Sequence, residues 1–175
     1  MCTNNTMRRE QMGINPKQLR ELVIVPTLQY LNPVIPYSIE AVDLLCMTAA
    51  HESLNGTYLK QIKGPALGIY QMEPATHDDI WKNFLAYNGE IAEDTIQYGS
   101  SALDLVTRLD YATAMARVHY YRVPEALPKC KDTGPDSDYI YELAKYAKKY
   151  YNTHLGKATA DDYFDAFVKL YGGSV

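Results

Sequence analysis

Cysteine is scarce: only Cys2, Cys46 and Cys130 occur in 175 residues. An odd count without CxxC spacing excludes a disulfide framework and a zinc site. Cys46 sits in an apolar run and is expected to be a buried thiol. No stretch approaches the roughly 18 apolar residues of a membrane span. The first fifteen residues are mostly polar, so no signal peptide is expected. Positive charge is not in excess: the formal net charge is −4, and no basic stripe runs along an expected helix. That excludes a general nucleic-acid binder. The histidines at 51, 77, 119 and 154 show no metal-ligand spacing with carboxylates, and no cofactor is implied. Phenylalanine is scarce too, with three against sixteen tyrosines. A tyrosine joins an apolar ring to a polar tip, which suits either a half-wet groove or the edge of a core.

What is present fits one ordinary domain. Hydrophobic residues make up 47% of the chain and charged residues 22%, as in typical globular proteins. The length suffices to bury a core without staples. Residues 1–14 read as a polar arm and 15–175 as the domain. Asn15-Pro16 opens a first helix, with Gln18 three residues after the cap. Pro26 is expected to kink or break it, and Leu28 to Leu31 continue it. Ser38 caps a second helix running to about Ser53. Residues 54–73 are rich in glycine and read as loop and turn, with room for a short β element from Gly68 to Met72. Thr76 with Asp79 has the form of a capping box for a helix that Asn88-Gly89 ends. Residues 89–101 are weakly patterned. A long helix is expected from Asp104 to about Arg122, another over about 137–151, and a last one capped by Thr159 with Asp162. The sum is a mainly α chain with one loop-rich insert.

The stretch with the most chemistry is His51-Glu52-Ser53 followed by the turn Gly64 to Thr76. Ala41, Leu45, Thr48, Ala49 and Glu52 recur at spacings of three and four, so the helix carries Glu52 to the interior edge of the domain. Its place at the helix C-terminus adds an unfavourable dipole. Both effects raise a carboxyl pKa, as a general acid requires. Gly64 and Gly68 let backbone approach a ligand closely. Gln71 offers a donor and an acceptor. Ser53 is placed to orient the acid or bond its backbone. His51 faces another side of the helix. Asp78 reads as a solvated first-turn charge, Glu73 as an exposed turn residue, Tyr120 as core, and Arg117 and Arg122 as a solvated face.

The order Glu52-Ser53, then Ala66-Leu67-Gly68-Ile69-Tyr70-Gln71-Met72-Glu73-Pro74-Ala75-Thr76, resembles the soluble lytic transglycosylase branch of the lysozyme-like superfamily. That family reads Glu-Ser, then Gly-Leu-Met-Gln with a proline and threonine shortly after. Ile69 and Tyr70 replace the usual leucine and methionine, and Tyr70 puts a phenol where the family has a thioether. The likeness is strong over about residues 38–80 and weak elsewhere. It also extends to small bacteriophage proteins with a similar Gly-Pro-Ala-Leu-Gly-Ile-Tyr-Gln-Met run. A third family motif, Ala-Tyr-Asn, has two competitors here. Ala86-Tyr87-Asn88 spells it but comes before the long middle helix. Tyr151-Asn152 follows that helix, as the family order wants, and is favoured.

The resemblance implies a lysozyme-like fold. It also implies cleavage of the β-1,4 bond between N-acetylmuramic acid and N-acetylglucosamine in peptidoglycan. Glu52 would be catalytic, and Ser53, Gly68, Tyr70, Gln71, Tyr151 and Asn152 would bind substrate. The expected setting is a phage virion, among other tail or baseplate proteins, acting on the host cell wall. The rivals are a hydrolytic lysozyme for host lysis, with Asp78 or Asp79 as second carboxylate, and a structural virion protein that keeps the fold with little activity.

Overall fold

The computed structural model describes residues 13–152 and 156–172. Most of the expected polar arm, with Cys2, and also His154 and Gly173, lie outside the described residues. The chain is mainly helical. Its centre is α3, Ile39–Ser53. Ser38 caps it, its hydroxyl accepting from the Ala41 amide at 3.2 Å. Alanines at 41, 49 and 50 let neighbouring helices approach closely, and nearly every residue from Glu40 to Ala50 is buried. The sequence pattern gave α3 one inward face; instead it is enclosed by α7, α8 and α9, Leu109–Tyr121, Ser137–Tyr150 and Ala160–Tyr171.

Burying polar groups on α3 requires partners, and each has them. Asp43 accepts from Arg20 Nη1 at 2.6 Å and from the Tyr139 hydroxyl at 3.0 Å. Glu40 accepts from the Cys130 amide at 3.3 Å. Thr48 shares a 2.8 Å hydrogen bond with the Tyr120 hydroxyl. Cys46 is fully buried, as its apolar surroundings led one to expect, and desolvation pushes its thiol up to about 12. The tyrosine excess belongs largely to this core. Tyr70, Tyr111, Tyr120 and Tyr163 are buried almost completely, with their hydroxyls bonded to Thr113, His77, Thr48 and Glu52.

The first helical stretch is interrupted. α1, Pro16–Leu19, passes into a π segment, Arg20–Ile24, before α2, Val25–Leu31. Pro26 lacks an amide and its ring would crowd the carbonyl four residues back. The wider π turn absorbs that conflict, so the chain is re-spaced rather than ended.

α4 is Pro74–Asn83, opening one turn earlier than the Thr76–Asp79 box required. Glu73 occupies the N-cap position with no side-chain cap, and Pro74 takes the first turn, where a missing amide costs nothing. Asp79 is thereby released for other contacts. A 3₁₀ turn, Leu85–Tyr87, leads into α5, Gly89–Ile96, so Gly89 begins a helix rather than ending one. The long helix expected from Asp104 is broken into α6, Asp104–Thr107, and α7, because Arg108 is extended at φ −130° and ψ 105°. Asp104 instead accepts from the Ser100 and Ser101 amides at 3.0 and 2.9 Å. The solvated face expected for Arg117 is also corrected. Arg117 is 7% exposed and donates to the Pro36 carbonyl at 3.1 Å. Around Leu67 the described residues hold only isolated antiparallel bridges, to Lys60 and Met72, and no β ladder.

The cap of α9 is the box foreseen from Thr159 and Asp162. The Thr159 hydroxyl accepts from the Asp162 amide at 3.2 Å, and Asp162 accepts from the Thr159 amide at 2.7 Å. Thr159→Ala is expected to lower stability by about 1 kcal/mol, read as a lower urea midpoint at unchanged slope. No helix among the described residues is long and apolar enough to cross a membrane.

Candidate active site

The C-terminal ends of α3, α7 and α8, the start of α4 and the loop before it surround a cavity of about 930 Å³. Glu52 faces it from α3. Gln71 and Glu73 come from the turn, Asp79 from α4, and His119 and Arg122 from the end of α7. Tyr150 at the end of α8 and Tyr151 and Asn152 just after it close the cavity, with Lys157 on the following loop. A second groove of about 670 Å³ lies between α2 and the start of α7. Its charges, Arg108 and Asp110, bond to each other at 3.0 Å. The first cavity is the one that gathers Glu52, Gln71, Tyr151 and Asn152.

Glu52 is part-buried. Its Oε1 accepts from the Tyr163 hydroxyl at 2.5 Å. Desolvation raises its pKa to about 7, against the opposing pull of the Tyr163 hydrogen bond and the charge of Lys148. At neutral pH this carboxyl is thus poised between acid and base. Tyr163 is itself fixed by a stacked contact with His51, ring centroids 3.8 Å apart. So the helix turn that presents Glu52 also holds the ring that bonds it.

The glutamine turn is built around strained backbone. Leu67 and Met72 exchange two amide-to-carbonyl bonds of 2.9 and 3.0 Å, which closes a tight loop over residues 68–71. Gln71 has φ 48°, the left-handed region that non-glycine residues rarely occupy. Its Nε2 donates to the Gly68 carbonyl at 2.7 Å. That bond fixes which amide atom is nitrogen. Its Oε1 has no protein donor among the described residues, and Gln71 lines the cavity.

Ser53 is buried behind this wall. Its hydroxyl donates to the Ile69 carbonyl at 2.6 Å and accepts from the Gly56 amide at 2.8 Å, locking the end of α3 to the turn. Tyr70 is also behind the wall, its hydroxyl 3.1 Å from Thr113. Gly68 is buried as well. The close approach it permits is to the Leu105 carbonyl of α6 rather than to open cavity. Of the residues marked by the sequence, Glu52, Gln71, Tyr151 and Asn152 meet in the cavity, while Ser53, Gly68 and Tyr70 support it. Tyr151 donates to the Tyr70 carbonyl at 2.9 Å, tying the segment after α8 to the glutamine turn. Tyr87 is 81% exposed, and the Asn88 side chain caps its own turn by bonding the Phe84 carbonyl.

Four residues take places that the sequence did not assign them. Tyr163 lies on the last helix, and no local pattern links it to Glu52. Asp79, expected as a cap or as the second carboxylate of a hydrolase, accepts from Asn83 at 2.7 Å and from Arg122 Nη1 at 2.6 Å. Those two bonds hold its carboxyl below the ordinary range. Arg122, taken for a solvated charge, and His119 complete that wall. No family model, curated protein or solved structure matches the chain.

Proposed function

We propose that the chain is a lysozyme-like peptidoglycan lytic transglycosylase that cleaves the muramyl–glucosaminyl β-1,4 bond. The observation that carries this reading is Glu52: one carboxyl with a pKa near 7, hydrogen-bonded by Tyr163, in a cleft large enough for sugar rings. Protonated Glu52 gives its proton to the glycosidic oxygen. The bond from muramyl C1 to that oxygen breaks, and its electron pair leaves with the glucosaminyl residue. The Glu52 carboxylate, steadied by Tyr163, then takes the proton of the muramyl C6 hydroxyl. O6 closes on C1 to give the 1,6-anhydro sugar. Glu52 returns to its starting state and no water is consumed. The free Gln71 carbonyl is suited to the N–H of an acetamido group, and Tyr150 and Tyr151 to stacking on a sugar face. The setting proposed is a phage particle that opens the host wall locally, which rests on the likeness of the Gly64–Thr76 run to phage proteins.

A hydrolytic reading is favoured by one observation: Asp79, an ionised carboxylate, lines the same cavity as Glu52. Hydrolases use such a second carboxylate as base or nucleophile. Its engagement by Arg122 and Asn83 weakens it in that role. Mass spectrometry of digested sacculi decides. Anhydromuropeptides support the transglycosylase, reducing-end products overturn it in favour of hydrolysis, and intact sacculi leave a structural virion protein.

Tyr163→Phe is expected to move the alkaline limb of the pH–rate profile upward by about one unit. A hydrogen bond to a charged group contributes about 1.5–3 kcal/mol, and it favours the ionised form. Without it the carboxyl holds its proton to higher pH. A dye-release assay on labelled sacculi across pH measures the limb; an unmoved limb overturns the role of Tyr163.

A further inference from the structure

We infer that Arg122 is a pre-aligned anchor for a carboxylate on the muramyl substituent, which makes the cleft selective for acidic glycans over neutral ones; this rests on the glycan-cleaving function proposed above. Arg122 ends α7 and faces the same cavity as Glu52, with its side chain 24% exposed. One end of its guanidinium, Nη1, donates to Asp79 at 2.6 Å. The other, Nη2, lies 3.2 Å from His119 Nδ1. A guanidinium nitrogen can only donate, so Nδ1 accepts and the ring proton sits on Nε2. That nitrogen is 3.1 Å from the Tyr150 carbonyl, to which it donates.

The chain Asp79–Arg122–His119–Tyr150 therefore crosses from α4 through α7 to the end of α8. Every proton in it has an assigned direction. Burial and the Arg122 charge push His119 down to about 4, so the imidazole stays a neutral acceptor through the working range. A plain surface ion pair needs no such bracket. Two guanidinium N–H groups are committed, and the other three of its five have no protein acceptor among the described residues. A fork held in place loses little freedom when a ligand arrives, which favours planar, two-point recognition of a carboxylate.

The surrounding charge is mixed. Glu73 and Asp79 are acidic, and Asp79 offsets the formal charge of Arg122. Lys157 also lines the cavity, and Lys148 lies near enough to act on Glu52. Selectivity comes from directed N–H groups on this wall, not from bulk charge. A muramyl residue differs from N-acetylglucosamine by its lactyl ether. The lactyl group ends in a carboxylate in bare strands and extends into an acidic stem peptide in substituted ones.

Binding to the Glu52→Gln protein by titration calorimetry tests this without turnover. The probes are the N-acetylglucosaminyl-N-acetylmuramic acid disaccharide, its peptide-bearing form, and the carboxyl methyl ester of each. At least one acid is expected to bind about tenfold or more tighter than its ester, as suits a charged hydrogen bond. The acid that shows the preference identifies the lactyl or the peptide carboxylate as the source. Adding Arg122→Gln should erase the preference while the esters still bind, and Arg122→Lys should restore only part of it. Acid and ester binding alike to the Glu52→Gln protein, or a preference that survives Arg122→Gln, overturns the anchor alone. Failure of all four probes to bind overturns the anchor together with the glycan reading. The acid–ester comparison does not depend on the Arg122 variants folding.

Discussion

Glu52→Gln is expected to lower sacculus cleavage by roughly 10³-fold or more, since a positioned general acid supplies about 10²–10⁴ and here one group serves both half-steps. The same change should make the protein more stable at alkaline pH. The Glu52 carboxyl has a folded pKa of about 7 against an ordinary 4.5. Its proton is held more tightly in the folded state than in the unfolded chain. The stability linked to it is therefore fully present below about pH 4.5 and is lost as pH rises through 7. With about 1.36 kcal/mol per unit, and some allowance for residual contact with water, the loss is on the order of 2–3 kcal/mol. Glutamine carries no charge, so the variant escapes it. Calorimetric melts at pH 4 and pH 8 should show the variant gaining on the wild type by about 4–12 °C between the two. The wild-type kcat/KM, which needs the protonated acid in the free enzyme, should be level below pH 7 and fall above it. Retained clearing by Glu52→Gln, or a stability gap that does not depend on pH, sinks the assignment.

Much of the frame was legible because it is written locally. Ser38 and Thr159 are side-chain caps that name their own helices, and α3 and α9 begin where those signals place them. Long-range geometry was not legible. α5 was passed over because a glycine and several polar residues dilute its apolar face, though Ile91 and Thr95 are buried. The break at Arg108 leaves the helical spacing of Leu105 and Leu109 intact, so periodicity ran through it. Candidate site residues divide the same way. Glu52 and Gln71 belong to one continuous run and could be set in register by eye. Tyr151 and Asn152 followed from motif order after the middle helix. Tyr163 lies 111 positions from Glu52, and Arg122 lies 43 from Asp79. Each of those pairs exists only because packing of α9 on α3, or α7 on α4, brings the ends together. Asp79 also shows how a local rule misleads. Thr76 and Asp79 have capping-box spacing, but Pro74 already suits the first turn and takes the helix start away from them.

Gly68→Ala is expected to be the most destabilising single-methyl change in this region, at about 3–5 kcal/mol. Gly68 has φ +75°, where a side chain costs about 1–2 kcal/mol. An added Cβ would also lie 2.0 Å from the Leu105 carbonyl oxygen, which is backbone and cannot rotate away. Forcing such contacts in packed regions costs typically 1–3 kcal/mol or more. Relief requires α6 to move away from the turn. The turn would then lose its fixed relation to Ser53 and Tyr151, which grip it through the Ile69 and Tyr70 carbonyls. The melting temperature should fall by about 6–20 °C at 2–4 °C per kcal/mol. Activity measured well below that melt should fall too, because Gln71 shares the loop and its amide bonds the Gly68 carbonyl directly. Gly64→Ala is the control. The nearest atoms to its added Cβ belong to the Gln61 side chain, which can swing aside. A Gly68→Ala protein that melts with the wild type would mean that the turn and α6 are not packed as described.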